Sequence, residues 1–234
     1  MSRTKSKYKL RIAQVLPQTS EEELFEESRC VLGVSMTNPV FWRSSLNDLV
    51  EWMSQHFEES MVLVGDYLHR LNAQILTGEG EEAAAIQALA MGEEFMERLK
   101  PALRRVPEGA FVVQRWKPFH DDPGFWEAKR EMDALYRENA SVKASIDSTA
   151  SLFVRQKTER DAFRVDKKLA VELSAQYLLE EMAVFSLLIN RGWKVVVYPG
   201  AQLPLLMEIA TGRFKDVPNH LHQGIYVELN VRKK

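Results

Sequence analysis

The sequence has little of what usually betrays a function at first sight. It contains a single cysteine, Cys30, so no internal disulfide framework exists, and no recurring Cys/His spacing suggests a zinc site. The expected compartment is therefore the reducing cytoplasm. No stretch approaches the roughly 18 uninterrupted apolar residues that a membrane span needs; the best run, Met182 to Ile189, is short and contains Ser186. The N-terminus is basic, with Arg3, Lys5, Lys7, Lys9 and Arg11, but without a following apolar segment it does not read as a secretory signal. Neither charge dominates: 31 Lys and Arg against 33 Asp and Glu leave a net charge of −2, so global charge selects no partner.

Familiar signatures are missing too. There is no GxxxxGK(S/T) phosphate loop, no GxGxxG after a strand, no HExxH and no GxSxG elbow, so an ATPase, a nicotinamide dehydrogenase, a zinc protease and an ordinary α/β-hydrolase all lose their usual signal. His220 and His222 form the one close histidine pair. With no neighbouring carboxylate or thiol to complete a ligand set, they read as a polar loop, and no metal is expected.

What is present is a chain of 234 residues, 45% hydrophobic and 27% charged, an ordinary globular composition with room for a sizeable core. No repeat and no Pro/Gly/Ser-rich linker divides it, so residues 1–234 are expected to form one domain. Apolar, β-rich runs lie at Leu10–Val15, Arg29–Val34, Met61–Val64, Ala110–Gln114, Lys194–Tyr198 and Ile225–Leu229. Helical periodicity fills most of the intervals, for example Ser45–Phe57 and the long stretch Asp161–Asn190. Strands alternating with helices imply an α/β fold, a mainly parallel, doubly wound sheet with helices on both faces. Ligands of such sheets collect outside the carboxyl ends of the strands, which directs attention to Gly33–Asn38, Gly65–Asp66 and Tyr198–Gly200.

Four features could carry chemistry. Ser35 stands at a strand end two residues after Gly33, where a glycine lets a ligand approach the backbone; its hydroxyl can attack an activated acyl group, or it can simply cap a turn. On the apolar stretch from Tyr177 to Ile189, Tyr177 and Glu181 are four residues apart and share a helix face. A buried carboxylate there needs a cation, from a substrate ammonium or from an Arg or Lys of the chain, and helix geometry alone does not choose between Glu181 and Glu180. Tyr198 ends a strand at Pro199, as a core lid or a site residue. Finally Arg98, Lys100, Arg104 and Arg105 can form a basic helical ridge, bent or restarted at Pro101, that grips nucleic acid or is merely solvated.

In their order along the chain these residues resemble the cyclodipeptide synthases, which use two aminoacyl-tRNAs to make a cyclic dipeptide. The resemblance rests on Gly33, Ser35 and Asn38 after an early strand, the basic helix, Tyr177 and Glu181 on a buried helix, and Tyr198 at a strand end. It implies a Rossmann-like fold similar to class I tRNA synthetase catalytic domains without their ATP chemistry; there is no KMSKS segment, and His69-Arg70-Leu71-Asn72 is not a HIGH motif. It further implies Ser35 as acyl acceptor, Tyr177 and Glu181 as holders of the α-amino group, and Tyr198 as a positioning or proton-relay group. Glu181 is preferred over Glu180 because it completes the family spacing, so Glu180→Gln is expected to be mild. Tyr198-Pro199 resembles the family's XYP group, whereas Asn38 is the residue typical of its NYH group. Gly33, Asn38, Val31 and Val64 are expected at the substrate pocket, and the basic ridge on tRNA. The enzyme is expected to act as a monomer with no cofactor, metal or membrane. In the mechanism expected, the second aminoacyl-tRNA's amine attacks the Ser35 ester and a dipeptidyl ester cyclises off the serine. A non-catalytic RNA-binding module and an adenylate-forming domain are the rival readings.

Overall fold

The computed structural model describes residues 7–158, 164–214 and 216–234. Its elements follow in the order β1 (Tyr8–Leu16), α1 (Glu21–Glu26), β2 (Arg29–Val34), α2 (Ser45–His56), β3 (Glu59–Val64), α3 (Arg70–Thr77), α4 (Glu81–Leu103), β4 (Phe111–Arg115), α5 (Trp116–His120), α6 (Pro123–Glu138), α7 (Ala140–Thr158), α8 (Lys167–Asn190), β5 (Val195–Tyr198), α9 (Pro204–Ala210) and β6 (Ile225–Lys233), with short 3-10 turns at Pro39–Trp42, Tyr67–His69 and Asn219–Gln223. The six strands form one sheet in the order β1-β6-β5-β2-β3-β4. All neighbours are parallel except β1, which closes one edge antiparallel to β6. This is the mainly parallel, helix-covered sheet that the alternating pattern predicts, and every expected strand is present.

Side chains alternate across a strand, and the alternation builds two cores. On one face Leu32, Val62, Val64, Val195 and Val197 pack beneath α1, α2 and α4. On the other, Val31, Met61, Leu63 and Val196 pack beneath α3 and α5 to α9. The apolar helix α8 lies in this second layer, exposed in its first turn and almost wholly buried from Leu178 to Ile189, as the lack of a polar face over that stretch requires. It begins at Lys167, where the Asp166 carboxylate caps the Leu169 amide at 3.0 Å; Asp161 to Phe163, the start of the expected helical stretch, lie outside the described residues.

Two glycines hold the carboxyl edge of the sheet together. A Cβ on Gly65 would sit 2.9 Å from the Val34 carbonyl oxygen, which the Gly65 amide itself reaches as a hydrogen bond of 3.1 Å. A Cβ on Gly92 of α4 would sit 2.4 Å from Asp66 Oδ2. Asp66 is fully buried and accepts from the Tyr67 amide at 2.7 Å, the Trp116 amide at 3.1 Å and Arg115 Nε at 2.5 Å. It thereby fixes the start of α5 against the end of β3. Helix α4 does not restart at Pro101: it continues to Leu103, with the proline in its last turn, where the missing N–H costs one hydrogen bond at an end that frays in any case.

Candidate active site

A cavity of about 210 Å³ opens at the carboxyl edge of the sheet. Its rim carries Gly33 near the end of β2, Ser35 and Thr37 after it, Gly65 after β3 and Tyr198 at the end of β5, while α8 supplies Ser174, Tyr177, Glu181 and Phe185 along one stripe. The three strand ends singled out by topology thus converge on one space. Ser35 and Tyr198, far apart in the sequence, meet there because β2 and β5 are paired, Leu32 opposite Val197.

Ser35 is half-buried, and its hydroxyl lies 3.3 Å from that of Thr37. Asn38 caps the 3-10 turn at Pro39–Trp42, its Oδ1 accepting from the Val40 amide at 3.0 Å. Its Nδ2 donates to the Tyr198 hydroxyl at 3.0 Å and to the Pro199 carbonyl at 3.3 Å. Asn38 therefore ties the loop after β2 to the end of β5 and sets the height of the Tyr198 hydroxyl beside Ser35. Burial raises the Tyr198 pKa, the Asn38 amide opposes that rise, the Glu181 charge adds to it, and the Ser35 hydroxyl opposes it. The phenol stays protonated and able to donate.

The two neighbouring glutamates of α8 have opposite fates. Glu180 is 2% exposed and accepts a bidentate pair of hydrogen bonds from Arg70 of α3, Nη2 to Oε1 at 2.7 Å and Nη1 to Oε2 at 2.9 Å, with Gln176 Nε2 adding a third at 3.3 Å. Arg70 also reaches Glu81 Oε1 at 2.9 Å and lies over the Tyr67 ring at 4.4 Å. Glu180 is thus the ion-paired structural carboxylate, and the expectation that Glu180→Gln is mild is corrected: it breaks a buried clamp between α3 and α8. Glu181, one residue on, faces the cavity. Its Oε2 is buried without a hydrogen-bond partner, and burial pushes its pKa from 4.5 up to about 8. Beside it, burial holds the Tyr177 phenol well above its ordinary value, with the Glu181 charge contributing. A carboxyl titrating in the range of an α-amine, with no ion pair to it among the described residues, has the chemistry to receive an ammonium.

Other expectations fare differently. Val31 and Val64 do not line the cavity. Val64 points to the opposite face, where it joins the core beneath α2 and α4, and Val31 lies on the cavity face but one pleat below Gly33, fully buried. Their neighbours Leu63 and Gly33 line the space instead. Asp66 is turned inward as a structural carboxylate. The sequence reasoning passed over Trp116, Asn72, Ser174, the α7 residues Thr149, Ala150 and Phe153, and Leu203 and Leu206 near α9, all of which wall the cavity. Only the position of Trp116, directly after a strand, was a usable signal. His220 and His222 sit on a 3-10 turn, His220 Nε2 2.5 Å from Ser186 Oγ and His222 Nδ1 3.2 Å from the Ile209 carbonyl. No group of three His, Cys, Asp or Glu suited to a metal occurs among the described residues, and no helix among them is long and apolar enough to cross a membrane.

Arg98, Lys100, Arg104 and Arg105 are all exposed at the end of α4. Arg98 donates to the Trp42 carbonyl at 2.6 Å and lies 5.5 Å over the Trp42 ring, and Lys100 pairs with Glu97 at 2.5 Å. Gly92 packs at the carboxyl edge of the sheet, so at about 1.5 Å per residue the ridge runs from roughly 9 Å to 20 Å away from that edge. Of the basic N-terminal residues, Arg3 and Lys5 lie outside the described residues.

Residues 13–190 match the family described as cyclodipeptide synthase. Among solved structures, the chain is similar to a cyclodipeptide synthase from Fluoribacter dumoffii, with 22% identity, 97% of this chain and 99% of that one covered and a TM-score of 0.84. It is also similar to a Mycobacterium tuberculosis protein presented as evidence that cyclodipeptide synthetases are related to type I tRNA synthetases (15% identity, 97% and 94% covered, TM-score 0.69), and to a synthase from Candidatus Glomeribacter gigasporarum bound to Phe-tRNAPhe (15%, 86% and 86%, 0.64). No curated protein matches the sequence.

Proposed function

Because the chain belongs to the cyclodipeptide synthase family, we propose that it joins the aminoacyl groups of two aminoacyl-tRNAs into a cyclic dipeptide by way of esters on Ser35. The observation that carries this reading is the division of labour on α8: Glu180 is neutralised by Arg70, whereas Glu181, in the cavity that Ser35 rims, has no cation among the described residues.

The aminoacyl ester is already activated, so the chain has to supply position and proton handling. Ser35 Oγ attacks the ester carbonyl of the first aminoacyl-tRNA; the bond to the ribose oxygen breaks and the tRNA leaves as its hydroxyl, taking a proton in exchange for the one lost by the serine. Tyr198, held by Asn38, steadies the reacting oxygen by donating its hydroxyl proton. Glu181 and Tyr177 bind the α-ammonium, and Glu181 removes the proton that makes it a nucleophile. Bond counting corrects the expected second step. If the amine of the incoming aminoacyl-tRNA attacked the Ser35 ester, the dipeptide would pass to that tRNA and the serine would be free. For a dipeptidyl ester to stay on Ser35, the amine of the Ser35-bound aminoacyl group must attack the second ester and expel the second tRNA. The new terminal amine then attacks the Ser35 ester carbonyl, closing the ring and restoring the serine hydroxyl.

Gly33 leaves space beside the ester, since a Cβ there would meet only Phe185, at 3.8 Å. Arg98, Lys100, Arg104 and Arg105 track the tRNA phosphates, and residues 1–234 work as one domain, a monomer in the cytoplasm where charged tRNA is found. Tyr198-Pro199 supports assignment to the XYP group. The test is mass spectrometry of medium from bacteria expressing the chain. New diketopiperazines are expected with the wild type and none with Ser35→Ala; the same products from both would overturn the covalent route.

A further inference from the structure

Among the described residues four buried side-chain polar atoms have no hydrogen-bond partner: Trp116 Nε1, Ser174 Oγ, Glu181 Oε2 and Tyr226 OH. Three of the four belong to residues that line the one cavity described above. Buried polar groups are nearly always paired, so three orphans on residues around one cavity mark it as a place where a bound molecule can supply the partners. Glu181 is accounted for by the ammonium. Trp116 and Ser174 are not.

Both are more than nine-tenths buried, at 2% and 4% exposure. They come from different elements, α5 and α8, and neither takes part in the proposed chemistry. The indole N–H can only donate, while the serine hydroxyl donates and accepts. The cavity is lined by apolar Leu63, Leu68 and Leu178 and by uncharged polar Asn72 and Thr149, and among the described residues no Lys or Arg lines it. A carboxylate side chain would find no cation among the described residues that line the cavity; a cationic one would meet an indole N–H that cannot accept. Ser174 precedes Glu181 by seven residues on one helical stripe, roughly 10 Å along the axis at about 1.5 Å per residue. Ser174 and the ammonium anchor therefore stand a side chain's length apart on the cavity-lining stripe of α8, and Trp116 lines the same space.

We propose that Trp116 and Ser174 select one of the two aminoacyl groups by the end of its side chain, which is uncharged, apolar along its length and finished by a hydroxyl or carboxamide, as in tyrosine or glutamine. This deepens the reading of the site and rests on Glu181 holding the ammonium. Such a side chain accepts from Trp116 Nε1 and exchanges a hydrogen bond with Ser174. An apolar side chain of the same length leaves both groups unpaired and forgoes both hydrogen bonds, each worth on the order of tenfold in affinity.

The experiment offers purified full-length protein single aminoacyl-tRNAs and reads the Ser35 ester by intact mass, alongside diketopiperazine composition in expressing cells. Tyrosyl over phenylalanyl, or glutaminyl over leucyl, should be favoured by tenfold or more. Trp116→Phe and Ser174→Ala should each collapse that preference toward unity, with melting temperatures equal to or above the wild type because each removes a buried orphan. Preference for an apolar or charged side chain in the wild type, or variants that keep the polar preference, would overturn the proposal; if a variant fails to fold, the wild-type competition alone decides. Diketopiperazines containing tyrosine or glutamine without any Ser35 ester would refute the covalent route and uphold the selection. If neither ester nor cyclic product forms with any aminoacyl-tRNA, both fall.

Discussion

Glu181→Gln should slow the chemistry and, at alkaline pH, make the protein more stable. Burial moves the Glu181 carboxyl from 4.5 to about 8, so between those values the folded protein keeps a proton that the unfolded chain has released. Stability is therefore fully present below about pH 4.5 and declines as pH rises through about 8. The full displacement corresponds to about 5 kcal/mol; water entering the cavity screens part of it, leaving about 2–3 kcal/mol. Glutamine keeps the shape and never acquires the charge. In a domain of this size about 2–3 kcal/mol corresponds to about 5–10 °C in melting temperature. The two proteins should melt together at pH 5, and the variant should melt about 5–10 °C higher at pH 9, by scanning fluorimetry. Its rate should fall roughly ten- to hundredfold through loss of a charge-assisted hydrogen bond to the ammonium. A variant less stable than the wild type at every pH would mean that Glu181 is a structural ion-pair partner and that the argument from its orphaned carboxylate is wrong.

Glu180→Gln should behave in the opposite way, losing about 3 kcal/mol in a urea melt because a buried arginine loses its charged partner; an unchanged midpoint would show the Arg70 clamp to be dispensable. Asn38→Ala removes a cap and the tie to Tyr198, so about 1 kcal/mol of stability should go together with turnover, and wild-type turnover would deny Tyr198 a positioned role. Neutralising Arg98, Lys100, Arg104 and Arg105 should flatten the salt dependence of tRNA binding, each lost phosphate contact removing about 0.7–0.9 from the log–log slope; an unaltered slope would make the ridge a solvated face.

Local pattern was enough to read the sheet. The runs ending at Val34, Val64 and Tyr198 are β-branched, short and bounded by turn residues, and the structure ends β2, β3 and β5 at those same residues. Strand ends in a parallel sheet share an edge, so the convergence of Gly33, Ser35 and Tyr198 was legible as well. Pairings made by tertiary packing were not. Glu180 and Arg70 are 110 residues apart, and nothing within α8 distinguishes the paired glutamate from the free one. Val64 was chosen where Leu63 was needed because one step along a strand exchanges the two faces. Trp116 and Ser174 escaped notice because an unpaired N–H or hydroxyl has no sequence signature; it exists only once the surrounding helices fail to offer a partner.

The central claim is that Ser35 carries the aminoacyl group. Its most direct test is intact-mass analysis of the purified protein quenched in acid after mixing with charged tRNA, followed by peptide mapping. One aminoacyl increment is expected, located on the peptide containing Ser35, absent from Ser35→Ala and accumulating when the second substrate is withheld. An increment on another residue, or the same increment in Ser35→Ala, would contradict it.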